Sequence, residues 1–247
     1  MHQSNCCKLN FFQLIDRHPP NRTNLTMLKV LVFDLDDTLF PEHQFVLSGF
    51  QAVSEWLYHQ YGITNFFETA WKLFQTGQRV KIFNQALDDL CIAHEPEFIQ
   101  DLVSIYRQHQ PKISLHEDAR WVFDYFKTDK KFGLITNGGL ITQQNKVEVL
   151  GIASRFSSII YCGEFASEYW KPSPYPYLKM MESTGCDGSE HVYVGDHPGK
   201  DFIAAKTLGW TTVRICRPDG EFSQLTTDDA HDAHFKITSL YELDQII

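Results

Sequence analysis

The chain has 247 residues, of which 43% are hydrophobic and 21% are charged, a balance typical of a globular protein with a full core. Its formal net charge of −9 argues against a nucleic acid polymer or an anionic membrane as partner. No apolar run approaches the roughly 20 residues that span a bilayer, no signal peptide pattern is found, and the cysteines form no CxxC pair. We therefore expect a cytoplasmic protein with reduced thiols.

The first 26 residues are polar and fit neither a helical nor a strand period. They contain one short apolar patch, from Leu9 to Ile15, and Met27 stands just before the first strand signal. We predict that residues 1–26 form an N-terminal extension, loosely attached to a compact domain that begins near Met27.

Residues 30–39 carry the strongest local signal, Val-Leu-Val-Phe-Asp-Leu-Asp-Asp-Thr-Leu. The apolar, β-branched start predicts a buried strand that ends in Asp34 and Asp36. Alternation along a strand puts both carboxylates on the same side of the strand. They also lie at its carboxyl end, where open α/β sheets bind ligands. One carboxylate can attack phosphorus and the other can move protons. Taken alone, the run also fits aspartates that only cap a turn.

Residues 43–110 predict a block of helices inserted directly after this strand. Apolar residues at helical spacing define four segments, interrupted by Gly62, Gly77 and Pro96. We expect most of the many aromatic side chains to form the core of this block, with one or two facing a pocket. The predicted division is therefore a core domain of residues 27–42 and 111–247 and a helical cap domain of residues 43–110.

After Pro111 the pattern alternates between helices and strands. Strands are predicted at 132–136, 158–162, 191–195, 211–215 and 234–237, with helices between most of them and a short helix at the end. Such alternation implies βαβ units and a parallel sheet. The predicted fold class is α/β, a doubly wound, Rossmann-like parallel sheet with an inserted α-helical cap.

Polar groups follow three of these strands or the loops between them. Thr136, Asn137 and Gly138 end one strand, where a hydroxyl and backbone N–H groups can bind phosphate oxygens. Lys171 precedes a proline and a helix, where a cation could hold a phosphate and offset crowded carboxylates. Asp196 ends another strand, with Asp201 five residues further on, and Mg²⁺ needs only a few such carboxylates. Each feature alone also fits an ordinary turn, a surface lysine or a helix N-terminal acid.

In this order along the chain, the features resemble the four motifs of the haloacid dehalogenase (HAD) superfamily, over residues 28 to about 216. The helical block resembles the cap that one branch inserts after the first motif. The resemblance implies that Asp34 is the nucleophile, forming an aspartyl-phosphate, and that Asp36 is general acid and then base. It assigns the phosphoryl group to Thr136 and Lys171, and Mg²⁺ to Asp34, Asp36 (through its backbone carbonyl) and Asp196. Asp201 then supports Lys171 or the metal.

The superfamily contains several chemistries, and the presence of Asp36 favours one of them. Dehalogenases of this fold need a nucleophile like Asp34 but neither a second acid nor a metal. We therefore expect a Mg²⁺-dependent phosphomonoester hydrolase acting on a small soluble phosphometabolite, such as a nucleoside monophosphate or a sugar phosphate. A phosphotransferase or phosphomutase, a 2-haloacid dehalogenase and a non-catalytic binding protein are the alternatives. The enzyme is expected to be a monomer or a homodimer.

Overall fold

The sheet is the centre of the fold. The computed structural model describes residues 28–247, so the extension predicted at residues 1–26 lies outside the described residues. Six parallel strands lie in the order β3-β2-β1-β4-β5-β6. They are β1 Val30–Phe33, β2 Lys131–Thr136, β3 Ser158–Tyr161, β4 His191–Gly195, β5 Thr211–Ile215 and β6 Phe235–Ile237. The central β1 is buried along its whole length, as its apolar run predicts.

Eight α-helices accompany the strands in the described residues. They are α1 Glu42–Tyr61, α2 Phe66–Gln75, α3 Ile82–Asp89, α4 Pro96–Gln108, α5 Glu117–Tyr125, α6 Leu140–Leu150, α7 Tyr175–Thr184 and α8 Ile203–Thr207. A 3₁₀ helix, Leu240–Gln245, follows β6. Across residues 28–247, no helix is both long enough and apolar enough to pass through a membrane.

Both faces of the sheet are covered, and alternation along β1 explains how. Leu31 and Phe33 pack into one core cluster with α5, α6 and the 3₁₀ helix at residues 240–245. Val30 and Val32 point the other way, into a second cluster with α7 and α8. Because both faces bury apolar side chains, the strands read as continuous apolar runs. The predicted fold class, a doubly wound α/β sheet, is confirmed.

Helices α1 to α4 lie between β1 and α5 in the chain and share a hydrophobic core of their own. Helix α1 begins at Glu42, one residue before the predicted start of the cap, because the Asp37 carboxylate accepts the Glu42 N–H at 2.8 Å. Helix α3 begins at Ile82, since the preceding residue, Lys81, has a φ of 56°, which no helix interior allows. The two segments that connect these helices to the sheet are hydrogen-bonded to each other. The His116 N–H donates to the Leu39 carbonyl at 3.0 Å.

Candidate active site

The candidate site lies at the carboxyl ends of β1, β2 and β4. The chain order of the strands reverses between β1 and β4, and this is where doubly wound sheets leave a crevice for ligands. Asp34 follows β1, Thr136 ends β2 and Asp196 follows β4. The crevice is a cavity of about 150 Å³. Its walls include Asp34, Asp36, Glu42, Asn137, Lys171, Asp196, His197 and Asp201.

Lys171 is the centre of a buried network. Its ammonium lies 2.6 Å from Asp34 Oδ1, 2.8 Å from Asp201 Oδ1 and 2.8 Å from the Tyr193 hydroxyl. Lys171 is only 5% exposed. Burial opposes its charge, but the attraction of Asp201 and Asp34 outweighs this and raises the pKa of Lys171 well above its usual value. The lysine is therefore a fixed cation directly beside Asp34.

The site holds more negative charge than Lys171 can balance. Carboxylate oxygens of Asp34, Asp196 and Asp201 lie within 4.8 Å of one another, and all three residues are buried. Burial, together with the charges of Asp201 and Asp36, raises the pKa of Asp34 to about 7, although Lys171 opposes the shift. Burial and then the charge of Asp201 raise the pKa of Asp196 well above its usual range.

This donor set fits a small divalent cation. Asp196 is 8% exposed, and no hydrogen-bond donor among residues 28–247 contacts its carboxylate. Both oxygens of Asp201, in contrast, already accept hydrogen bonds, from Lys171 and Tyr193 on one side and from the His197 N–H on the other. Hard carboxylate oxygens with open lone pairs are the ligands that Mg²⁺ prefers. The geometry thus suits Asp34 and Asp196 as ligands and Asp201 as the support of Lys171.

Asn137 and Gly138 shape the loop after β2. The Asn137 amide donates to the Lys171 carbonyl at 2.9 Å and accepts the Lys171 N–H at 3.1 Å, so its side chain fixes the backbone of the lysine. Gly138 has a φ of 137°, and a Cβ there would lie 2.9 Å from the Gln143 side chain. Only glycine fits this position. The Asn137 side chain is therefore occupied, which leaves the backbone N–H groups of the loop for an anion.

The Asp36 carboxylate has partners that the sequence did not reveal. Lys146 Nζ lies 2.6 Å from Asp36 Oδ1, and Gln143 Nε2 lies 2.9 Å from Asp36 Oδ2. The same Gln143 nitrogen lies 2.5 Å from Oγ1 of Thr136, which is fully buried. The only sequence signal for these partners was their spacing of three residues on the helix after Asn137, which puts both on one helix face.

Glu42 was also missed. Its carboxyl is half-buried at the start of α1 and borders both the crevice and a second, larger cavity. Burial and the charge of Asp36 raise the pKa of Glu42 to about 8, against the opposing charge of Lys146. The aspartate that does cap a turn is Asp37, which accepts the Glu42 N–H. Asp34 and Asp36 both border the crevice instead.

The second cavity, of about 460 Å³, opens beside the crevice under the helices α1 to α4. Phe50, Phe74 and Phe83 belong to the core of these helices and also line the cavity. At its rim, Arg79 Nε lies 3.1 Å from Glu221 Oε2, which links the helical block to the loop after β5. The cavity combines an apolar body with charged groups at its rim.

Fold and site together define the class of the protein. A doubly wound parallel sheet carries a carboxylate, a buried lysine and further acids at its strand ends, with helices inserted after the first strand. The protein therefore belongs to the class of α/β proteins that have a ligand crevice with acidic and lysine side chains at the carboxyl ends of parallel strands.

Comparison with known proteins supplies the family. Residues 31–215 match the haloacid dehalogenase-like hydrolases, and the chain belongs to this family. Over 232 residues it is 31% identical to a glyceraldehyde 3-phosphate phosphatase of Methanocaldococcus jannaschii, covering 90% of this chain and 97% of that protein. It is 24% identical to a phosphoserine phosphatase of Thermus thermophilus, covering 77% and 89% of the two chains.

Solved structures agree on the fold. A putative HAD hydrolase of Bacillus subtilis, bound to magnesium, superposes with a TM-score of 0.64 at 17% identity and covers 89% of this chain and 98% of its own. The family match and the relatives that are phosphatases confirm the predicted family and its hydrolase class.

Proposed function

We propose that the protein is a Mg²⁺-dependent phosphomonoesterase that hydrolyses a small soluble phosphometabolite through an aspartyl-phosphate on Asp34. One observation carries the proposal: the Asp34 carboxylate, at the mouth of the strand crevice, lies 2.6 Å from a buried lysine and beside two further buried acids. Phosphoryl transfer needs positioning and charge stabilisation more than any other aid, and this arrangement supplies both.

In the first step, Asp34 attacks the phosphorus atom and the bond to the leaving alcohol breaks. Lys171 and the backbone N–H groups of the Asn137–Gly138 loop hold the phosphoryl oxygens, where negative charge increases. The Thr136 hydroxyl accepts from Gln143 and donates only at 3.5 Å to the Asn137 carbonyl, so its proton can turn toward a phosphate oxygen. Asp36 gives a proton to the departing alcohol.

In the second step, water replaces Asp34 on phosphorus. Asp36 takes a proton from that water, the phosphorus–Asp34 bond breaks, and phosphate is released. Asp34 and Asp196, with the backbone carbonyl of Asp36, would hold Mg²⁺, which supplies positive charge beside the transferred group. The excess of buried carboxylates over lysine charge supports this assignment.

The leaving group would occupy the cavity of about 460 Å³ under helices α1 to α4. Glu42 borders both cavities, so a substrate with its phosphate at Asp34 can extend into the larger one. Arg79 and Lys81 at its edge are suited to an anionic or polar group, and Phe50 and Phe74 to an apolar body. Glyceraldehyde 3-phosphate and phosphoserine, named in the relatives, are candidates, as are larger sugar phosphates and nucleoside monophosphates.

We place the enzyme in the cytoplasm, in keeping with the reduced state of its thiols. All four cysteines in residues 28–247, Cys91, Cys162, Cys186 and Cys216, are free. A cytosolic setting also supplies the phosphometabolites that the site would bind. Localisation of the tagged full chain in its own cells, by fractionation, checks this assignment.

A phosphate-release screen tests the function. The full chain is incubated with Mg²⁺ and a panel of triose phosphates, phosphoserine, hexose phosphates, nucleoside monophosphates and p-nitrophenyl phosphate. We expect release from at least one, loss with EDTA, and loss in Asp34→Asn, which keeps the shape of the side chain. Borohydride reduction of the quenched enzyme should trap the acyl phosphate at Asp34. No release from any member contradicts the proposal, and halide release from a 2-haloacid without metal would replace it with dehalogenation.

A further inference from the structure

Two buried side chains of α6 hold both oxygens of the Asp36 carboxylate. Lys146 Nζ lies 2.6 Å from Oδ1 and Gln143 Nε2 lies 2.9 Å from Oδ2. Lys146 is 3% and Gln143 2% exposed, so both donor side chains are shielded from bulk water. Asp36 itself borders the crevice beside Asp34. The Asp36 carboxylate, the proposed proton carrier, is thus held through both of its oxygens by two buried donors.

Lys146 forms an ion pair with Asp36, and its charge also acts on the nearby Glu42 carboxyl without an ion pair between the two among residues 28–247. Its ammonium lies 4.3 Å from the ring centroid of Phe45 and 5.7 Å from that of Phe40, and Asp36 is its one ion pair in that part of the chain. Burying a lysine against a carboxylate gains little stability over an apolar pair of the same size. A purely structural account therefore explains the pair poorly, whereas the placement of Asp36 explains it well.

Gln143 adds a second connection. Its amide nitrogen donates both to Asp36 and, at 2.5 Å, to Oγ1 of Thr136, the residue that ends β2. One amide group therefore sets the distance between the proposed proton carrier and a proposed phosphate-binding hydroxyl. Because Gln143 and Lys146 are three residues apart on α6, they face the same way and act on Asp36 together.

We propose that Lys146 and Gln143 are positioning residues that fix Asp36 for proton transfer, an inference that rests on the function proposed above. They hold both carboxylate oxygens of Asp36 in place at the wall of the crevice, where the attacking water would bind. A carboxylate oxygen has two lone pairs, so each oxygen that accepts one hydrogen bond keeps a lone pair for a proton from that water. The proton taken from water stays on Asp36 and goes to the leaving alcohol of the next turnover.

The test is a double-mutant cycle with p-nitrophenyl phosphate as substrate. Its leaving group departs without a proton, so turnover reports the hydrolysis of the acyl phosphate, in which Asp36 acts as a base. Lys146→Met keeps the packed stem and removes the charge. It is measured in the wild-type chain and in the Asp36→Asn chain, both with saturating Mg²⁺, with thermal unfolding recorded for every variant.

In the wild-type background we expect Lys146→Met to lower kcat by about 10- to 100-fold, part of the ~10²- to 10⁴-fold that a general base contributes. Because only the second step slows, KM should fall together with kcat, and kcat/KM should change by less than about threefold. In the Asp36→Asn background the same substitution should change kcat by less than about twofold. Rapid quenching should show more acyl phosphate on Lys146→Met than on the wild type, because its second step is slower.

Controls separate positioning from folding. Thr142→Val lies on the same helix and loses a hydrogen bond to the Arg107 carbonyl, but it does not touch Asp36, so kcat should stay within about twofold. Lys146→Arg, which keeps the cation, should recover part of the lost kcat. If Lys146→Met does not fold, Gln143→Leu in the same cycle decides the question.

Two results overturn the inference. One is an unchanged kcat for both Lys146→Met and Gln143→Leu, and the other is an equal loss with and without the Asp36 carboxylate. A wild-type chain that releases no phosphate from any substrate of the panel refutes the proposed function, and the inference with it. Failure of the proposed function and failure of the inference are therefore distinguishable, since the first is seen in the wild-type chain before any substitution is made.

Discussion

Replacing Gly195 by alanine would put a methyl group into the space that the Asp201 carboxylate occupies. A Cβ at Gly195 would lie 2.5 Å from Asp201 Oδ2 and 2.8 Å from its Cγ. Ordinary van der Waals contact between carbon and oxygen begins at about 3.4 Å, so either the new methyl group or the Asp201 carboxylate must move by roughly 1 Å. Asp201 is 1% exposed and bonded on both oxygens, so it has no open space to move into without breaking contacts.

The cost follows from those contacts. Asp201 accepts from Lys171 at 2.8 Å and from the His197 N–H at 2.9 Å, and a shift of roughly 1 Å takes both beyond hydrogen-bond range. Hydrogen bonds to charged groups contribute about 1.5–3 kcal/mol each, so the free energy of unfolding should fall by about 3–6 kcal/mol. For a chain of this size that lowers Tm by at least about 6 °C. Because Lys171 loses its support beside Asp34, kcat should fall by about 10²-fold.

The matched control is Gly139→Ala. A Cβ there meets its nearest atom, Oγ1 of Thr142, at 3.6 Å, which is ordinary van der Waals contact, and φ at this position is −60°. Both variants add one methyl group beside the site, and only Gly195→Ala should lose stability in urea titration and activity in phosphate release. Equal behaviour of the two variants would refute the argument that Asp201 is fixed by its contacts.

Three other substitutions test separate features. Asp34→Asn should lower phosphate release by at least about 10³-fold with little loss of stability, and retained activity would contradict its role as nucleophile. Mg²⁺ at about 100 times its Kd should stabilise the wild type by ~2.7 kcal/mol in thermal unfolding, and Asp196→Asn should remove most of this gain; an unchanged gain would exclude Asp196 as a ligand. Burial opposes the charge of Asp118, but Arg217 outweighs it and lowers the pKa of Asp118, so this carboxylate stabilises the fold above its unfolded pKa of ~3.9. The stability difference between wild type and Asp118→Asn should be constant from about pH 7 to 5 and should shrink as pH falls below about 4, measured by urea titration; a constant difference down to about pH 2.5 would contradict this.

The sheet could be predicted because its signals are local. The buried run at Val30–Phe33 and the alternation of strands and helices after Pro111 each define an element from neighbouring residues. Parallel strands then bring their carboxyl ends to one edge, so Asp34 and Asp196 had to lie near each other once β1 and β4 were recognised.

The partners of the site residues were not predictable in the same way, because they depend on which side chains meet across the fold. The sequence did not predict that the side-chain amide of Asn137 holds the Lys171 backbone. It gave no partner for Asp36, which is more than 100 residues from Lys146 in the chain and 2.6 Å from it in space. No periodicity carries information over such a separation, and only the folded position of α6, whose Gln143 also contacts Thr136 at the end of β2, creates the contact.

The two buried lysines divide the negative charge of the crevice unevenly, and this division bears on how the site works. Lys171 forms ion pairs with Asp34 and Asp201, and Lys146 forms one with Asp36, whereas Asp196 and Glu42 form none among the described residues. Burying an unpaired carboxylate costs stability, and the raised pKa of Asp196 expresses that cost. A divalent cation beside Asp196 would recover the lost energy and would bring its charge to the same point where a phosphoryl group needs it. The cost of burying Asp196 and the metal binding proposed for the crevice would thus both follow from one charge imbalance.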